Sequence, residues 1–244
     1  MKMKIKKRWI LLIVIILSLG FLSLPEIFHA NIGTSESIGS VRNGKLTNGW
    51  LVPYKGNNWC YFSPFSYYIL NNGYVHSNVF SIMLDAYRAC ETTCPGIEFR
   101  IMECSRKQGG PMLIHWTHQN GTSVDFMVPL IKGDNHQSWL NKAGLFHYLL
   151  QFNEDGQFSL GHKTVIDFET IAKHIMALDD AANQHGMRIR KILLNTNLHD
   201  ELFATPSGKL LAERHLNFIP RLSNLVNNVH DDHYHVDFEF IGSE

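Results

Sequence analysis

The stretch HDDHYHV, residues 230–236, places His233 and His235 two positions apart at the entrance to a segment typical of a strand. Successive strand side chains point to opposite faces, so both histidines lie on one face of a regular strand. More than a hundred residues earlier, His118 and Asp125 form a His-x6-Asp pair. Imidazole nitrogen and carboxylate oxygen are zinc ligands, and a catalytic zinc takes three protein ligands and keeps one position for water. The two stretches together predict one metal site.

The segments between these stretches predict a mixture of helices and strands. Apolar residues at helical spacing predict helices over residues 78–91, 168–186 and, interrupted by Pro220, 210–226. Alternating or short apolar runs predict strands over residues 98–104, 124–130, 190–194 and 234–241. His118 then lies at a strand entrance, and Asp125 lies inside that strand. Because no regular βαβ rhythm is present, we expect an α+β fold whose small, mainly antiparallel sheet carries the zinc site and is flanked by helices.

Residues 1–30 differ in composition from the rest of the chain. Lys2, Lys4, Lys6, Lys7 and Arg8 form a basic region, and an uncharged apolar run follows over residues 10–24. This pattern predicts a signal peptide and hence a periplasmic or other extracytoplasmic location. Ala30 suits cleavage, but the bulky Phe28 does not, so an uncleaved membrane anchor through residues 9–24 is the alternative. Residues 31–50, rich in Gly, Ser and Asn, are predicted to be a linker, and residues 51–244 the zinc-binding domain.

The composition of the 244 residues indicates a folded domain and argues against a nucleic-acid partner. Hydrophobic residues make up 45% and charged residues 18%, which is enough apolar material for a core. After residue 30 the chain holds 17 Lys and Arg against 21 Asp and Glu, so its formal charge is near −4. No basic surface is available for nucleic acid.

The chain has an even number of cysteines, which in an exported protein predicts two disulfides. The candidates are Cys60, Cys90, Cys94 and Cys104. Their spacing does not choose among the three pairings. The alternative is a structural zinc site made of all four thiols, although only Cys90 and Cys94 are closely spaced.

The two His/Asp stretches resemble a known family of peptidases. GGP (109–111), HWTHQNG (115–121) and VD (124–125) resemble the metal-binding segment of the penicillin-insensitive murein endopeptidases. HDDHYHV resembles that family's terminal metal-binding strand, and SIGS (37–40) resembles the start of its mature domain. The resemblance spans roughly residues 37–240. The wider group includes lysostaphin-type endopeptidases, D-Ala-D-Ala metallopeptidases and the hedgehog amino-terminal domain.

The resemblance implies a role for each site residue. His118, Asp125 and His235 would be the zinc ligands. His233 would take a proton from the attacking water, and His230 would stabilise the oxyanion, although the sequence does not fix which of these two is the base.

Two further residues bear on a second metal. His115 would bind a second metal ion or act as an outer-shell hydrogen-bond donor. Asp155 is the other candidate for a second metal site, but Phe158 stands where its histidine partner is expected.

The activity implied is that of an exported zinc metalloendopeptidase acting on peptidoglycan peptides, at the cross-link between D-Ala and a diamino acid. The alternatives are a D-Ala-D-Ala carboxypeptidase on the same fold and a zinc-binding module without catalysis. Two departures from the family pattern bear on substrate preference. Thr122 and Ser123 precede Val124-Asp125 where the family often has Leu-Asp, and Asp237 stands where it often has Arg.

Overall fold

The computed structural model describes residues 7–113, 115–133, 135–136, 139–161 and 163–242. Lys2, Lys4 and Lys6 of the predicted basic region lie outside the described residues.

A long apolar helix, α1 (Lys7–Ile27), precedes the rest of the fold. Its residues Arg8–Ile27 are long and apolar enough to cross a membrane, and almost all of them are exposed. A 20-residue helix is about 30 Å long, which matches the hydrocarbon thickness of a bilayer. The apolar run noted in the sequence is therefore part of a helix longer than the run itself. By length and composition, α1 could be a signal sequence or an anchor.

Short and long helices alternate with short strands along the rest of the chain. The helices are α2 (Pro64–Tyr68), α3 (Ser77–Thr93), α4 (Phe168–Gln184), α5 (His199–Ala204), α6 (Pro206–Ala212) and α7 (Asn224–Asn228). Segments of 3-10 helix span Trp139–Lys142, Gly144–Leu149 and Thr196–Leu198. The strands are β1 (Glu36–Ser40), β2 (Asn43–Thr47), β3 (Trp50–Leu51), β4 (Trp59–Tyr61), β5 (Tyr74–Val75), β6 (Phe99–Ile101), β7 (Ser123–Met127), β8 (Leu130–Lys132), β9 (Thr164–Ile166), β10 (Met187–Leu193) and β11 (His233–Phe240).

The central sheet, as far as the structure describes it, has five strands in the order β10-β11-β7-β6-β4. Neighbouring strands run antiparallel except β4 and β6, which are parallel. The register of β7 and β11 places His235 opposite Asp125 and Asp237 opposite Ser123. The predicted α+β class, with small antiparallel-rich sheets flanked by helices, is confirmed.

The two faces of the β7–β11 pair have different chemistry because side chains alternate along each strand. One face is apolar and packs toward α4, where the hydroxyl of Tyr234 and Nδ1 of the buried His174 share a hydrogen bond of 2.6 Å. The ring of Phe126 lies 4.9 Å from that imidazole. The opposite face presents buried acids and histidines: Asp125, His233, His235 and Asp237. One pair of strands thus separates the hydrophobic core from the polar site.

The prediction of a linker over residues 31–50 is wrong for its central part, because β1 and β2 form an antiparallel hairpin there. Most side chains of this hairpin are exposed, which explains why its composition resembles that of a loop. Leu46 is buried, and its N–H donates to the carbonyl of Gln108 at 3.0 Å. The N–H of Gln119 donates to the carbonyl of Val41, also at 3.0 Å. The hairpin therefore braces both ends of the loop that precedes β7.

The predicted helix over residues 210–226 is also wrong. Helix α6 ends at Ala212 and α7 begins at Asn224. Between them a turn is followed by residues 217–219, which lie beside β10: the N–H of Ile192 donates to the carbonyl of Asn217, and the carbonyl of Ile192 accepts from the N–H of Ile219. The backbone of β10 offers these partners because β10 is an edge strand, and Pro220 cannot continue a helix.

The cysteine prediction is not met, because all four cysteines are free in the structure. Cys90 and Cys94 lie one turn apart in and after α3 and are close enough for a contact between their thiols. The thiol of Cys60 instead faces the carbonyl of Tyr61 at 3.4 Å. In the described part of the chain the four thiols do not form a metal-binding group either. The spacing of the cysteines carried no information about which secondary structure each would occupy.

Candidate metal centre

The carboxylate of Asp125 is buried at the centre of a cluster of imidazoles. Its Oδ2 lies 3.2 Å from Nε2 of His118, 3.6 Å from Nδ1 of His115 and 4.0 Å from Nε2 of His233. Its Oδ1 lies 2.7 Å from Nδ1 of His235. Burial alone would raise the pKa of Asp125, but the charges of His118 and His233 and the hydrogen bond from His235 hold that pKa well below its ordinary value. Asp125 is therefore ionised and available as a ligand.

His115, His118 and Asp125 could hold a metal ion, since their ligand atoms all lie within 4.8 Å of one another. Nδ1 of His118 donates to the carbonyl of Ser123 at 3.2 Å, so in the neutral ring the lone pair is on Nε2. That Nε2 is fully buried and has no hydrogen-bond partner among the described residues. Nε2 lies 3.2 Å from Oδ2 of Asp125, and a neutral ring facing a carboxylate oxygen is unfavourable unless a proton or a metal ion lies between them. The donor set therefore fits a metal ion.

The loop before β7 positions His118 through an unusual backbone. His118 has φ of 67°, in the left-handed region that non-glycine residues rarely adopt. Gly109 has φ of 67°, and a Cβ there would lie 2.1 Å from the carbonyl oxygen of Gln119, so only glycine fits. The N–H of Gly110 donates to that same carbonyl at 2.9 Å. The paired glycines thus let the loop fold back on itself and turn His118 inward.

On β11, His235 lies between two carboxylates. Its Nδ1 contacts Asp125, and its Nε2 contacts Oδ1 of Asp237 at 2.6 Å. Burial lowers the pKa of His235, but the charge of Asp237 and the hydrogen bonds to Asp125 and Asp237 raise it to about 10. The buried Asp237 also accepts a hydrogen bond from Ser123 Oγ at 2.5 Å and pairs with Lys191 Nζ at 3.1 Å. Asp237 is thereby fixed and in turn fixes the ring of His235.

His233 has the geometry of a proton acceptor next to the metal-binding group. Its Nδ1 donates to Oδ1 of Asp232 at 2.5 Å, so its Nε2 points at the Asp125 carboxylate. Burial lowers the pKa of His233, but the charges of Asp232 and Asp125 outweigh it, and the pKa is raised above its ordinary value. A more basic imidazole with a free Nε2 can take a proton from water.

His230 stands beside His233, with ring centroids 4.8 Å apart. Its Nδ1 donates to the carbonyl of Val226 at 2.6 Å. Burial and the charge of His233 lower the pKa of His230 to about 3. The stabilising role predicted for His230 needs a proton on Nε2, and this environment disfavours that proton.

The structure brings in residues that the sequence reasoning did not assign. Asp232 and Asp237 orient the two histidines of β11, and Tyr148 places its ring 6.1 Å from that of His233. Behind the site, the carbonyl of Glu103 accepts from the N–H of Asp125 at 2.8 Å. The two-residue period of β11 was the available signal for Asp237, because it continues the face of His233 and His235.

Nothing in the described residues joins Asp155 to this group. Asp155 is exposed in a turn, and Phe158 packs against Phe152 with ring centroids 6.0 Å apart. His115 instead belongs to the same group as His118 and Asp125.

Comparison with known proteins does not identify the family of this chain. No family model matches the chain, and no curated protein matches it significantly.

Proposed function

We propose that the protein is an exported zinc metalloendopeptidase that hydrolyses the amide bond between D-Ala and a diamino acid in peptidoglycan cross-links. One observation carries the proposal. The pairing of β7 and β11, together with the loop that precedes β7, gathers His118, His233 and His235 around the single buried carboxylate of Asp125. The choice of peptidoglycan as substrate rests on the resemblance of the two His/Asp segments to murein endopeptidases.

We assign His118, Asp125 and His235 as the zinc ligands, with His115 beside them. His235 faces Asp125 through Nδ1 and Asp237 through Nε2; metal binding would release the Nδ1 proton, so Nδ1 would be the ligand atom while Asp237 continues to accept the Nε2 proton. A histidine ligand whose other nitrogen donates to a carboxylate is a common arrangement in metal sites. Imidazole and carboxylate donors of this kind suit zinc. Bound zinc would supply Lewis-acid polarisation of the scissile carbonyl.

The proton transfers fall to His233. Its Nε2 faces the site while Asp232 holds its Nδ1–H, so His233 Nε2 takes the proton of the attacking water. The protonated ring is stabilised by Asp232, as its raised pKa indicates. The same Nε2–H then donates to the leaving amine, which departs as a neutral group. Tyr148, with its hydroxyl buried beside the site and without a partner among the described residues, is positioned to orient the peptide carbonyl.

Incubation of the zinc-loaded protein with purified sacculi, followed by mass analysis of the released muropeptides, tests this function. We expect cross-linked dimers to be converted to monomers. Loss of only a terminal D-Ala would identify a carboxypeptidase. The absence of any cleaved bond, with zinc bound, would identify a non-catalytic zinc-binding module and contradict the proposal. His233→Ala protein loaded with zinc is the matched control for a contaminating hydrolase.

A further inference from the structure

The carboxyl end of α1 is joined to the domain by buried polar contacts. Glu26, in its last turn, is only 6% exposed and is the one acidic residue of the helix. The hydroxyl of Tyr74, a fully buried residue of β5, donates to Oε1 of Glu26 at 3.2 Å, and the side-chain amide of Asn71 faces the same carboxylate. The ring of His29 packs edge-on against Tyr74, with centroids 5.1 Å apart. A buried carboxylate with partners supplied by the domain indicates that this end of α1 is part of the fold.

The segment that follows α1 is equally tied to the domain. Asn31 exchanges two hydrogen bonds with the backbone of Leu51, at 3.0 and 2.8 Å. Asn48 donates from its amide to the carbonyl of Ile32 at 2.6 Å. The indole of Trp50 donates to the carbonyl of Gly33 at 3.0 Å. Residues 31–33, which connect α1 to the hairpin, are thus hydrogen-bonded to residues 48–51 of the domain.

Cleavage after Ala30 would remove Glu26 and His29 from their partners. The hydroxyl of Tyr74 would lose its acceptor in the interior, which costs the desolvation of a buried polar group. A signal peptide that is discarded has no need of such contacts, whereas a retained helix does.

An apolar groove of about 430 Å³ runs between α1 and α2. It is lined by Leu19, Ser23 and Ile27 of α1 and by Phe65, Tyr68 and Ile69 of α2 and its end. Phe65 is 48% exposed at its edge. The hydroxyl of Ser23 donates to the carbonyl of Gly20 at 2.9 Å, so it does not need water. The groove lies along the part of α1 that is long and apolar enough to span a bilayer. If α1 spans the bilayer, this apolar groove faces lipid acyl chains.

We propose that α1 is retained as a membrane anchor and seats the domain directly on the outer surface of the bilayer, with lipid acyl chains filling the groove between α1 and α2. The basic residues that precede α1 place its amino end on the cytoplasmic side. The partner is thus a phospholipid bilayer, and α2 enters its interfacial layer. This proposal is independent of the peptidase activity, since it concerns a different surface of the chain.

Retention of α1 is tested by expressing the full chain in a bacterium, washing the membranes with alkaline carbonate and measuring the intact mass. We expect the chain with residues 1–30 still attached, in the carbonate-resistant membrane fraction. A soluble protein that begins at Asn31 would overturn the proposal.

The docking of α1 is tested by a double-mutant cycle in the full chain reconstituted in nanodiscs. Tyr74→Phe should lower the melting temperature of the wild-type protein but have little further effect in the Glu26→Ala background, because the acceptor is then absent. In the Glu26→Gln background, which keeps an acceptor for the tyrosine hydroxyl, Tyr74→Phe should still lower the melting temperature by most of the wild-type amount. An equal shift in the wild-type and Glu26→Ala backgrounds would show that the contact does not form.

The lipid contact is tested with fluorophores on single cysteines, in a Cys60→Ser background that removes the one native thiol that is not buried. A label on Phe65→Cys should be quenched by brominated phospholipids in the nanodisc. A label on Leu210→Cys is the matched control, since Leu210 is 55% exposed on α6, which packs against α4 and α5. Equal quenching at the two positions would contradict the seating of α2 on lipid.

Discussion

Nδ1 of His235 lies 2.7 Å from Oδ1 of Asp125, although 110 positions separate the two residues in the chain. The two are direct partners in the antiparallel register of β11 and β7. Strand pairing is therefore the event that assembles the donor set. A metal ion that binds these donors would therefore stabilise the folded central sheet, because the unfolded chain has no preformed site.

The first prediction concerns the ligands. Wild-type protein should bind about one zinc ion, and His118→Ala, Asp125→Ala or His235→Ala should each remove most of it, because three donors are needed. His115→Ala should keep the metal, with an affinity lower by about 10- to 100-fold at most, as for an outer-shell residue. Elemental analysis after dialysis against a chelator series measures both. Zinc retained by His235→Ala and lost by His115→Ala would instead make His115, His118 and Asp125 the complete set.

A second prediction concerns Asp237, which accepts a hydrogen bond from Nε2–H of His235 and so fixes the orientation of that ring. Asp237→Asn keeps the volume but weakens this hydrogen bond, so zinc affinity should fall about 10- to 100-fold. Chelator competition gives the affinity directly. Glu239→Gln is the control on the same strand, since Glu239 pairs with the exposed Arg188 and does not touch the site. Equal affinities of the Asp237→Asn and Glu239→Gln proteins would remove Asp237 from the metal centre.

The third prediction separates metal binding from proton transfer. His233→Ala should bind zinc at the wild-type level and lose about 10²- to 10⁴-fold in the rate of muropeptide cleavage, as expected for a general base. Asp232→Asn should cause a smaller loss, because it leaves Nε2 in place but lowers its basicity. Wild-type cleavage rates in the His233→Ala protein would show that another group accepts the proton.

A fourth prediction concerns stability in acid and depends on His174. Burial lowers the pKa of His174 to about 3, whereas an unfolded histidine titrates near ~6.5. The unfolded chain therefore binds a proton that the folded chain excludes. The free energy of unfolding is therefore not reduced by His174 above pH ~6.5. Between pH ~6.5 and about 3 it falls by about 1.4 kcal/mol for each unit decrease in pH.

Urea unfolding between pH 7.5 and 5 should accordingly show a shallower loss of stability for His174→Phe than for the wild type. Other buried histidines such as His76 share the sign of the effect, so the slope should decrease but not vanish. His215→Asn is the control, because His215 is exposed and asparagine tolerates its φ of 53°. Identical slopes for all three proteins would mean that His174 titrates normally.

Much of this architecture could be predicted from local sequence. Helices α3 and α4 and strands β7, β10 and β11 follow from apolar periodicity, because each element buries one face. The placing of His118 at the entrance of β7 and Asp125 inside it followed from the same reading. The polar hairpin of β1 and β2 and the segment beside β10 that follows α6 could not be read in this way. Both are stabilised by backbone partners supplied by distant segments, which leave no periodic trace in the local sequence.

The site, like the fold, could be predicted from the sequence only in part. The spacing of His233 and His235 predicted a shared face, and the structure places both beside Asp125. The orientation of each imidazole was not predictable, since it depends on Asp232, Asp237 and the carbonyl of Ser123. The sequence reasoning treated Asp237 as a lost arginine, and only the cross-strand register shows that its carboxylate points at His235.

Because side chains alternate between the two faces of β11, an insertion of one residue within this strand changes the face on which every later side chain lies. Inserting a single residue after Val229 leaves β11 intact, but inserting one within β11, after Tyr234, would rotate everything beyond it by half a turn. Val236 would then occupy the position of Asp237, and the histidine at 235 would face the apolar side that packs toward α4. Insertion of two residues restores the parity but displaces the imidazole by about 7 Å along the strand. An insertion of one or two residues within β11 therefore takes His235 out of the site, whereas an insertion before the strand, after Val229, leaves the register of β11 unchanged.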